Sequence, residues 1–344
     1  MRQKSMQAVI LKCKPGYRFH LGEYAEHSAT TLGQCSDILH SDVIFGAFIS
    51  ILAKNYPEKL EDFRGYFEEG KIKFSSGFFC VEKDEKFTYL LPKPIIANLV
   101  KFNNNDKEPK VDFKKFKKIK FISQGVYNAG TSVEEWLQSE GKFSQPSSET
   151  LFLSSEIPES VNFKLAEKTD SLKVKVRTTE DDGKLYSQTD LMILGDENHK
   201  VHWYFLLEET LDEADKDILT KCIGQLPFTG IGGERSTGCG KIDEVIFKDF
   251  ETKENTGRKM LLSLAYPDAN SAEKLEFYQT KKRGGMPYGN AKRLPVRLAV
   301  LEGAVLNEDL PQRIDDKEWK AERDYWKYSG ALSIALPDYL DKNN

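Results

Sequence analysis

The sequence Ser41-Asp-Val-Ile-Phe-Gly-Ala-Phe-Ile-Ser-Ile-Leu-Ala-Lys-Asn55 decides the fold of the first half of the chain. Its apolar residues recur at helical spacing, which predicts a helix with one buried face. These residues are Ile44, Phe48, Ile51 and Leu52. The β-rich stretch Met6–Lys12 before it predicts a strand, and Lys73–Glu82 and Lys86–Leu91 after it predict a hairpin. The first half therefore reads strand, helix, hairpin.

The second half repeats this alternation. Three stretches read as strands, namely Leu172–Thr178, Leu185–Leu194 and Val201–Leu207. The capping sequence Thr210-Leu-Asp-Glu213 predicts the start of a helix, and Lys241–Phe247 predicts a strand after it. Because hairpins outnumber β-α-β crossovers, the pattern favours an α+β protein built on the ferredoxin-like β-α-β-β-α-β arrangement that RRM-type domains share.

Chain length sets the expected number of modules. A chain of 344 residues exceeds what one compact core usually organises. We expect two ferredoxin-like (RRM-like) modules, one at residues 1–150 and one at residues 151–344. The polar, lysine-rich stretch at about residues 101–120 is expected to be an exposed insertion in the first module.

Charge is unevenly distributed along the chain. The net charge is -4, yet the stretch 281–301 carries only basic charges, whereas Glu208–Asp217 is mostly acidic. This separation predicts one basic groove and an acidic face elsewhere. The five cysteines contain no C-x-x-C pair, so no zinc or redox site is expected, and no cofactor or metal is predicted. No apolar run approaches the roughly 20 residues that span a bilayer, so we expect a cytoplasmic protein without membrane contact.

The sequence Phe228-Thr-Gly-Ile-Gly-Gly-Glu-Arg-Ser-Thr-Gly-Cys-Gly-Lys241, here called the glycine loop, is the main candidate site. Glycines at this density indicate positive φ angles or close backbone approach, and successive exposed N–H groups form an anion-binding nest. Phosphate is the expected guest, because charged and hydroxyl side chains lie in the same loop. The candidate ligands are Gly230, Gly232, Gly233, Arg235, Ser236, Thr237, Gly238, Gly240 and Lys241.

Two nucleotide-binding motifs fail on this loop. A Walker A loop needs lysine and a hydroxyl residue where Cys239 and Gly240 stand. A dinucleotide fingerprint needs a third glycine where Arg235 stands, and it opens into a helix, whereas this loop precedes a strand. A purely structural loop without a ligand remains an open alternative.

The loop pattern G-x-G-G-x-R-S-x-G-x-G-K resembles the signature of the RAMP superfamily of CRISPR proteins. Three further motifs resemble the subunit that caps the 5′ handle of the guide RNA in type III-A effector (Csm) complexes. They are Phe19-His-Leu-Gly-Glu23, Leu39-His-Ser-Asp-Val-Ile-Phe-Gly-Ala47 and Lys292-Arg-Leu-Pro-Val-Arg-Leu298. The resemblance spans nearly the whole chain, but no motif covers Asn103–Lys120.

This resemblance implies a non-catalytic RNA-binding subunit that holds the crRNA 5′ handle in the glycine loop and an inter-domain groove. It implies contacts with the large polymerase-like subunit and with the adjacent backbone RAMP subunit. A protruding β-hairpin thumb at Lys173–Gln188, turning at Asp181-Asp-Gly183, would meet the edge of the duplex of guide and target RNA. Outside the glycine loop, the residues expected to contact RNA are His20, His40, Ser41, Arg177, Tyr186, Arg283, Lys292, Arg293 and Arg297.

An enzymatic alternative remains. Some RAMP proteins cleave precursor crRNA with a histidine base, and His40 is the best candidate because it precedes Ser41 and Asp42 at a predicted helix start. The sequence shows no acid to partner it, so we expect His40 to bind RNA or cap the helix. A precursor-crRNA endoribonuclease is therefore the alternative function.

Overall fold

The computed structural model describes residues 6–26, 32–99, 112–137, 141–158, 160–175, 184–252, 257–285, 294–315 and 325–337. The helices in these ranges are α1 (Ser41–Asn55), α2 (Leu60–Glu68), α3 (Phe113–Lys118), α4 (Gln124–Asn128), α5 (Glu213–Ile223), α6 (Leu226–Thr229) and α7 (Ala269–Ala272). Within these ranges, no helix is both long and apolar enough to cross a membrane.

The strands up to the glycine loop are β1 (Met6–Lys12), β2 (Arg18–Phe19), β3 (Ile72–Phe74), β4 (Phe78–Lys83), β5 (Lys86–Pro92), β6 (Phe121–Ser123), β7 (Phe143–Ser144), β8 (Thr150–Leu153), β9 (Ala166–Lys175), β10 (Lys184–Ile193) and β11 (Lys200–Glu209). Those after it are β12 (Glu244–Asp249), β13 (Lys259–Leu261), β14 (Leu275–Phe277), β15 (Thr280–Gly285), β16 (Leu294–Val300), β17 (Val305–Leu306), β18 (Arg313–Asp315), β19 (Lys327–Ser329) and β20 (Ser333–Ala335).

A large sheet forms the centre of the molecule, with strand order β12-β1-β11-β4-β5-β6-β8-β7. The strands β3 and β4 pair with successive parts of β11 and act as one interrupted strand, with Phe74 opposite Leu207 and Phe78 opposite Tyr204. The helix α1 joins β1 to β3, and α5 lies between β11 and β12. The order β12, β1, β11, β3/β4 is the order that a β-α-β-β-α-β unit gives its strands.

A smaller sheet repeats this order, β14-β17-β13-β20, within residues 259–335. Its first strand in the chain, β13, lies between β17 and β20, just as β1 lies between β11 and β12. The two sheets are therefore separated in sequence between Asp249 and Lys259. The predicted boundary at residues 150 and 151 does not coincide with a division of the central sheet, because β1 pairs with β11 and β12 from the second half.

One continuous hydrophobic core holds the two sheets together. It contains α1 and the central strands, and also Val305, Leu332 and Ile334 from the smaller sheet. Tyr328 stacks on Phe45 of α1 with ring centroids 4.9 Å apart, and its hydroxyl accepts the N–H of Phe74 at 3.3 Å. Burying each such aromatic ring contributes about 2 to 3 kcal/mol. Packing therefore fixes the β18–β19 pair against α1 through Tyr328, and it fixes the smaller sheet against the same core through Val305 and Ile334.

The structure agrees with some of the predicted helices and strands and corrects others. The helix Ser41–Asn55 and the pairing of the β4–β5 hairpin are confirmed. Lys73–Glu82 is not one strand, because the Ser75 N–H and hydroxyl both bond the backbone of Leu206 and break the ladder there. The cap predicted at Thr210 is wrong, since Asp212 caps α5 by accepting the N–H of Asp215 at 2.9 Å.

The lysine-rich stretch and the thumb lie partly outside the described ranges. Residues 112–118 of the stretch form α3 with its cap, and Phe116 is buried there, so this part is not simply an exposed insertion. The strands β9 and β10 pair along their whole length in a long hairpin, whose base is joined by β10 to β2. Its turn at 181–183 is outside the described residues.

Candidate nucleic-acid interface

The glycine loop follows α6 and leads into β12, at the edge of the central sheet. Backbone conformation explains the glycine at 240. Gly240 has a φ of 77°, and a Cβ atom there would lie 2.1 Å from the carbonyl oxygen of Ile231. Only glycine fits such a position.

Backbone hydrogen bonds tie the loop to β2. The Gly240 N–H donates to the Arg18 carbonyl at 2.7 Å, and the Gly233 N–H donates to the His20 carbonyl at 2.9 Å. The Ile231 N–H donates across the loop to the Gly240 carbonyl at 3.0 Å. These N–H groups serve the fold and are occupied, so the predicted phosphate nest does not extend over the whole loop.

The free donors are concentrated in one turn. Arg235–Thr237 forms a single 3₁₀ turn, and Glu234 before it has a left-handed φ of 53°. Within the described residues, the N–H groups of Gly232, Glu234, Arg235 and Ser236 have no hydrogen-bond acceptor. A left-handed residue followed by right-handed residues makes a concave nest of N–H groups that suits an anion.

Two cationic side chains, Arg235 and Lys173, lie at this turn, and a third, Lys241, ends the glycine loop. The Arg235 guanidinium is exposed and donates to the Thr229 carbonyl at 3.2 Å. The Lys241 ammonium lies 5.1 Å from the ring centroid of Tyr17. Lys173, from the hairpin strand β9, reaches the Thr237 hydroxyl at 3.4 Å. Nothing in the sequence around Lys173 indicates this contact, because only the tertiary fold brings β9 to the loop.

His20 lies beneath the loop and is a correction to the predicted RNA contacts. Its side chain is buried, and its Nδ1–H donates to the Thr189 carbonyl at 3.0 Å. The Nδ1 atom is also 3.4 Å from the carboxylate of Asp190, which accepts a 2.7 Å hydrogen bond from Gln188. His20 therefore supports the loop from below through its own carbonyl and ring.

His40 and Ser41 lie between the two sheets. The His40 Nδ1 is 2.8 Å from Glu302 Oε1, and its Nε2 is 3.2 Å from the Ser36 hydroxyl. Ser41 is fully buried, and its hydroxyl accepts the N–H of Leu264, which lies just after β13 of the smaller sheet, at 3.0 Å. Ser41 as an RNA contact is wrong, because its side chain joins the sheets. Burial acts to raise the pKa of Glu302, but His40 and Ser76 outweigh it and hold that pKa below its usual range.

Arg283 is also a correction. Its guanidinium is buried and donates to Asp42 Oδ1 at 2.7 Å, while Lys327 donates to Asp42 Oδ2 at 2.9 Å. Burial acts to raise the pKa of Asp42, but the two cations hold it well below its usual range. Arg283 consequently neutralises a buried carboxylate at the start of α1 and is not available to RNA.

A cavity of about 440 Å³ opens between β5 and β6 on one side and residues 279–302 on the other. The His40–Glu302 pair lies in its wall, so the acid partner that the sequence did not reveal is Glu302. The lysines in the wall are Lys93, Lys117, Lys120, Lys168 and Lys281, against the carboxylates of Glu23, Asp37 and Glu302. The cavity therefore carries a positive surplus.

Lys93 accounts for part of that surplus. Its ammonium donates to the Phe116 carbonyl at 2.9 Å and lies 4.2 Å from the Phe116 ring centroid. Burial lowers the pKa of Lys93 to about 8. In contrast, Lys120 and Lys168 are paired with Asp37 at 2.8 Å and 3.2 Å.

The remaining predicted contacts are scattered. Tyr186 is half-buried on β10, and Arg297 is half-buried on β16, opposite Arg283 in the register of that hairpin. Arg177, Lys292 and Arg293 lie outside the described residues. Within the described ranges, no group of three His, Cys, Asp or Glu side chains could hold a metal ion.

Comparison with known proteins follows the same division of the chain. Residues 254–336 match the family described as the CRISPR Csm4 C-terminal domain, and these residues contain the smaller sheet. No curated protein matches the sequence significantly.

Solved structures are similar over almost the full length. A chain of a Csm3–Csm4 subcomplex of the type III-A CRISPR-Cas interference complex is 20% identical, with a TM-score of 0.65, covering 95% of this chain and 98% of that one. A chain of a Csm1–Csm4 cassette in complex with cA4 is 18% identical, with a TM-score of 0.57, covering 96% and 98%. A further Csm1–Csm4 cassette, in complex with pppApA, is 16% identical, with a TM-score of 0.56 and the same coverage. Residues 254–336 thus match the Csm4 C-terminal domain family, and the chain as a whole shares the fold of chains in these Csm complexes.

Proposed function

We propose that the chain is a Csm4-like RAMP subunit that holds the 5′ handle of a crRNA in a type III-A effector complex and does not cleave RNA. The observation that carries the proposal is the turn at Glu234–Thr237. It presents unbonded backbone N–H groups together with the exposed cation Arg235, and Lys241 is exposed at the end of the same loop. Backbone N–H groups and arginine are the donors that proteins use to position nucleic-acid phosphates.

The cavity between β5, β6 and residues 279–302 supports an RNA path that extends beyond the glycine loop. A net charge of -4 for the chain gives no general attraction for a polyanion, so the local positive surplus in this cavity matters. Its volume of about 440 Å³ is in the range that holds a nucleotide-sized ligand. His40 faces this cavity, where its imidazole could contact RNA while remaining bonded to Glu302.

The proposed function also includes two ferredoxin-like modules, a thumb hairpin and two protein partners. Each sheet is proposed to be a ferredoxin-like module, because each has the strand order of a β-α-β-β-α-β unit. The β9–β10 hairpin is proposed to be the thumb that meets the edge of the guide–target duplex. The similar structures pair Csm4 with Csm1 and with Csm3, and we propose a large polymerase-like subunit and a backbone RAMP subunit as partners here.

Salt-dependent RNA binding tests the glycine-loop proposal. The variant with Arg235→Ala and Lys241→Ala should bind handle RNA more weakly, and its dependence of log affinity on log salt should fall by about 0.7 for each lost phosphate contact. The control is Lys221→Ala, whose ammonium is paired with Asp217 on the exposed side of α5. An unchanged slope in the double variant, or an equal fall in the control, would contradict the assignment.

The endoribonuclease alternative has one observation in its favour, the His40–Glu302 pair beside a basic cavity. Against it, both ring nitrogens of His40 are engaged, by Glu302 and by Ser36. We expect no cleavage of repeat RNA in the absence of metal. Cleavage that His40→Ala abolishes, with RNA binding retained, would replace the non-catalytic function.

A further inference from the structure

Phe228 is the most exposed of the large hydrophobic side chains in the described ranges, with 86% of its surface accessible. Burial of a phenyl ring stabilises a fold, and at this position that contribution is absent. A single exposed apolar side chain is ordinary on a folded protein, so the case for a bound partner depends on the groups that surround this ring.

The backbone presents this ring rigidly. The Phe228 and Thr229 N–H groups both donate to the Gln225 carbonyl, at 3.0 Å and 3.2 Å, and the Gly230 N–H donates to Leu226 at 2.8 Å. Leu226, at the start of the same turn, is buried in the main core. The α6 turn is thus anchored on one side and holds Phe228 out on the other.

The groups next to the Phe228 ring are a guanidinium and unbonded backbone N–H groups, which suit a nucleotide. The Arg235 guanidinium bonds the carbonyl of Thr229, the residue next to Phe228. The turn with unbonded N–H groups follows directly at Glu234–Ser236. A flat apolar ring beside a cation and an anion-binding turn is the combination that an unpaired nucleotide requires, since it offers both a base and a phosphate.

We propose that Phe228 is a base-stacking platform, on which one unpaired nucleobase of the bound RNA lies while its phosphate contacts Arg235 and the adjacent turn. The inference rests on the proposed function and specifies how the glycine loop recognises a single strand. A protein partner is less well matched, because the other exposed side chains of the loop are Arg235, Ser236, Thr237 and Lys241. Stacking of this kind tolerates any base, because every base has a π face.

The test combines protein variants with RNA lacking single bases. Handle RNA is titrated into the full chain, wild type or variant, and a series of handles carries one abasic site at each position in turn. Phe228→Ala should lower affinity about 5-fold to 150-fold, the usual range for loss of one stacked base, with the salt slope unchanged. Phe228→Leu should behave like Phe228→Ala, and Phe228→Trp should retain affinity. The control, Tyr278→Ala, removes another exposed aromatic ring, one that is 50% accessible and next to β14.

A thermodynamic cycle locates the stacked base. At one abasic position, the RNA should lose affinity for the wild type and lose almost no more when Phe228→Ala is added. A 2-aminopurine placed at that position should lose fluorescence on binding to the wild type and keep more of it with Phe228→Ala.

The outcomes separate this inference from the proposed function. RNA binding that is equal in wild type and Phe228→Ala would overturn the stacking role and leave the glycine loop as the RNA site. No binding of RNA by the wild type, alone or with its large subunit, would overturn both. If Phe228→Ala left RNA affinity intact but reduced association with the large subunit in the absence of RNA, Phe228 would be a protein-docking residue instead.

Discussion

Removal of the Asp42 carboxylate should destabilise the whole fold. Asp42 lies in the first turn of α1 and accepts hydrogen bonds from Arg283 and Lys327, and all three side chains are nearly inaccessible to solvent. In Asp42→Asn, the shape is kept but two buried cations lose their counter-charge. Removing one partner of a buried pair costs about 3 to 5 kcal/mol, so we expect a loss of about 4 kcal/mol in the free energy of unfolding.

The pH dependence of this loss has a definite sign. Because the folded-state pKa of Asp42 is held well below its usual range, its contribution is fully present above the unfolded-state value, about 3.9. The contribution is lost as the pH falls from there towards the folded-state pKa. The difference between wild type and Asp42→Asn should therefore be constant from pH 8 to about pH 5 and shrink only below about pH 4.

Urea denaturation followed by circular dichroism measures this difference at each pH. The control is Asp217→Asn, which removes an exposed carboxylate paired with Lys221 and should change stability by less than about 0.5 kcal/mol. A second variant, Arg283→Met with Asp42→Asn, should recover part of the loss, since one uncompensated cation is removed as well. A loss in Asp42→Asn no larger than in the control would refute the claim that this carboxylate is a buried structural charge.

Three other perturbations follow from the structure. Gly240→Ala should destabilise the loop, because its Cβ atom would lie 2.1 Å from the Ile231 carbonyl oxygen. Gly238→Ala has open space around the added Cβ atom, and only its φ of 92° disfavours alanine there. Thermal melts should therefore show a larger loss of stability for Gly240→Ala than for Gly238→Ala. If the buried charge has no ligand, Lys93→Met should stabilise the chain near neutral pH by on the order of 3 kcal/mol, because burial lowers the folded-state pKa of Lys93 to about 8. The free energy of unfolding of the wild type should therefore rise between about pH 8 and the model value of 10.5, and that of the variant should not. Burial lowers the pKa of His202, so stability should fall as the pH drops below about 6.5, and His202→Gln should flatten this dependence in urea titrations.

Local sequence patterns were sufficient to predict many of the helices and strands. The helical spacing at roughly Ser41–Asn55 predicted α1, and the strands around it were recognised because alternation and β-branched content are local signals. The boundary between the modules was not recognised from local patterns, because strand order depends on which distant segments pair. The pairing of β1 with β11 and β12 joins residues about two hundred positions apart, and no local pattern encodes it.

The candidate site shows the same limit. The glycine loop was recognisable from composition, yet the sequence could not show that the N–H groups of Gly233 and Gly240 bond the chain at β2 and His20, or that the N–H of Ile231 bonds across the loop. Arg283 was selected because basic residues cluster around it, and it is buried because Asp42 needs a counter-charge there. The missed residues Lys93 and Lys173 have no distinguishing neighbours in sequence, and only tertiary structure brings them to the cavity and to the loop.

The hydrogen bonds beneath the glycine loop have a mechanical consequence. The β2 strand bonds to the hairpin strand β10 on one side, and its Arg18 carbonyl holds Gly240 of the loop on the other. His20, directly after β2, bonds Thr189 of β10 through its ring and Gly233 through its carbonyl. The long hairpin and the glycine loop therefore share β2 and His20 as a common support, so a displacement at the base of the hairpin would be transmitted directly to the glycine loop.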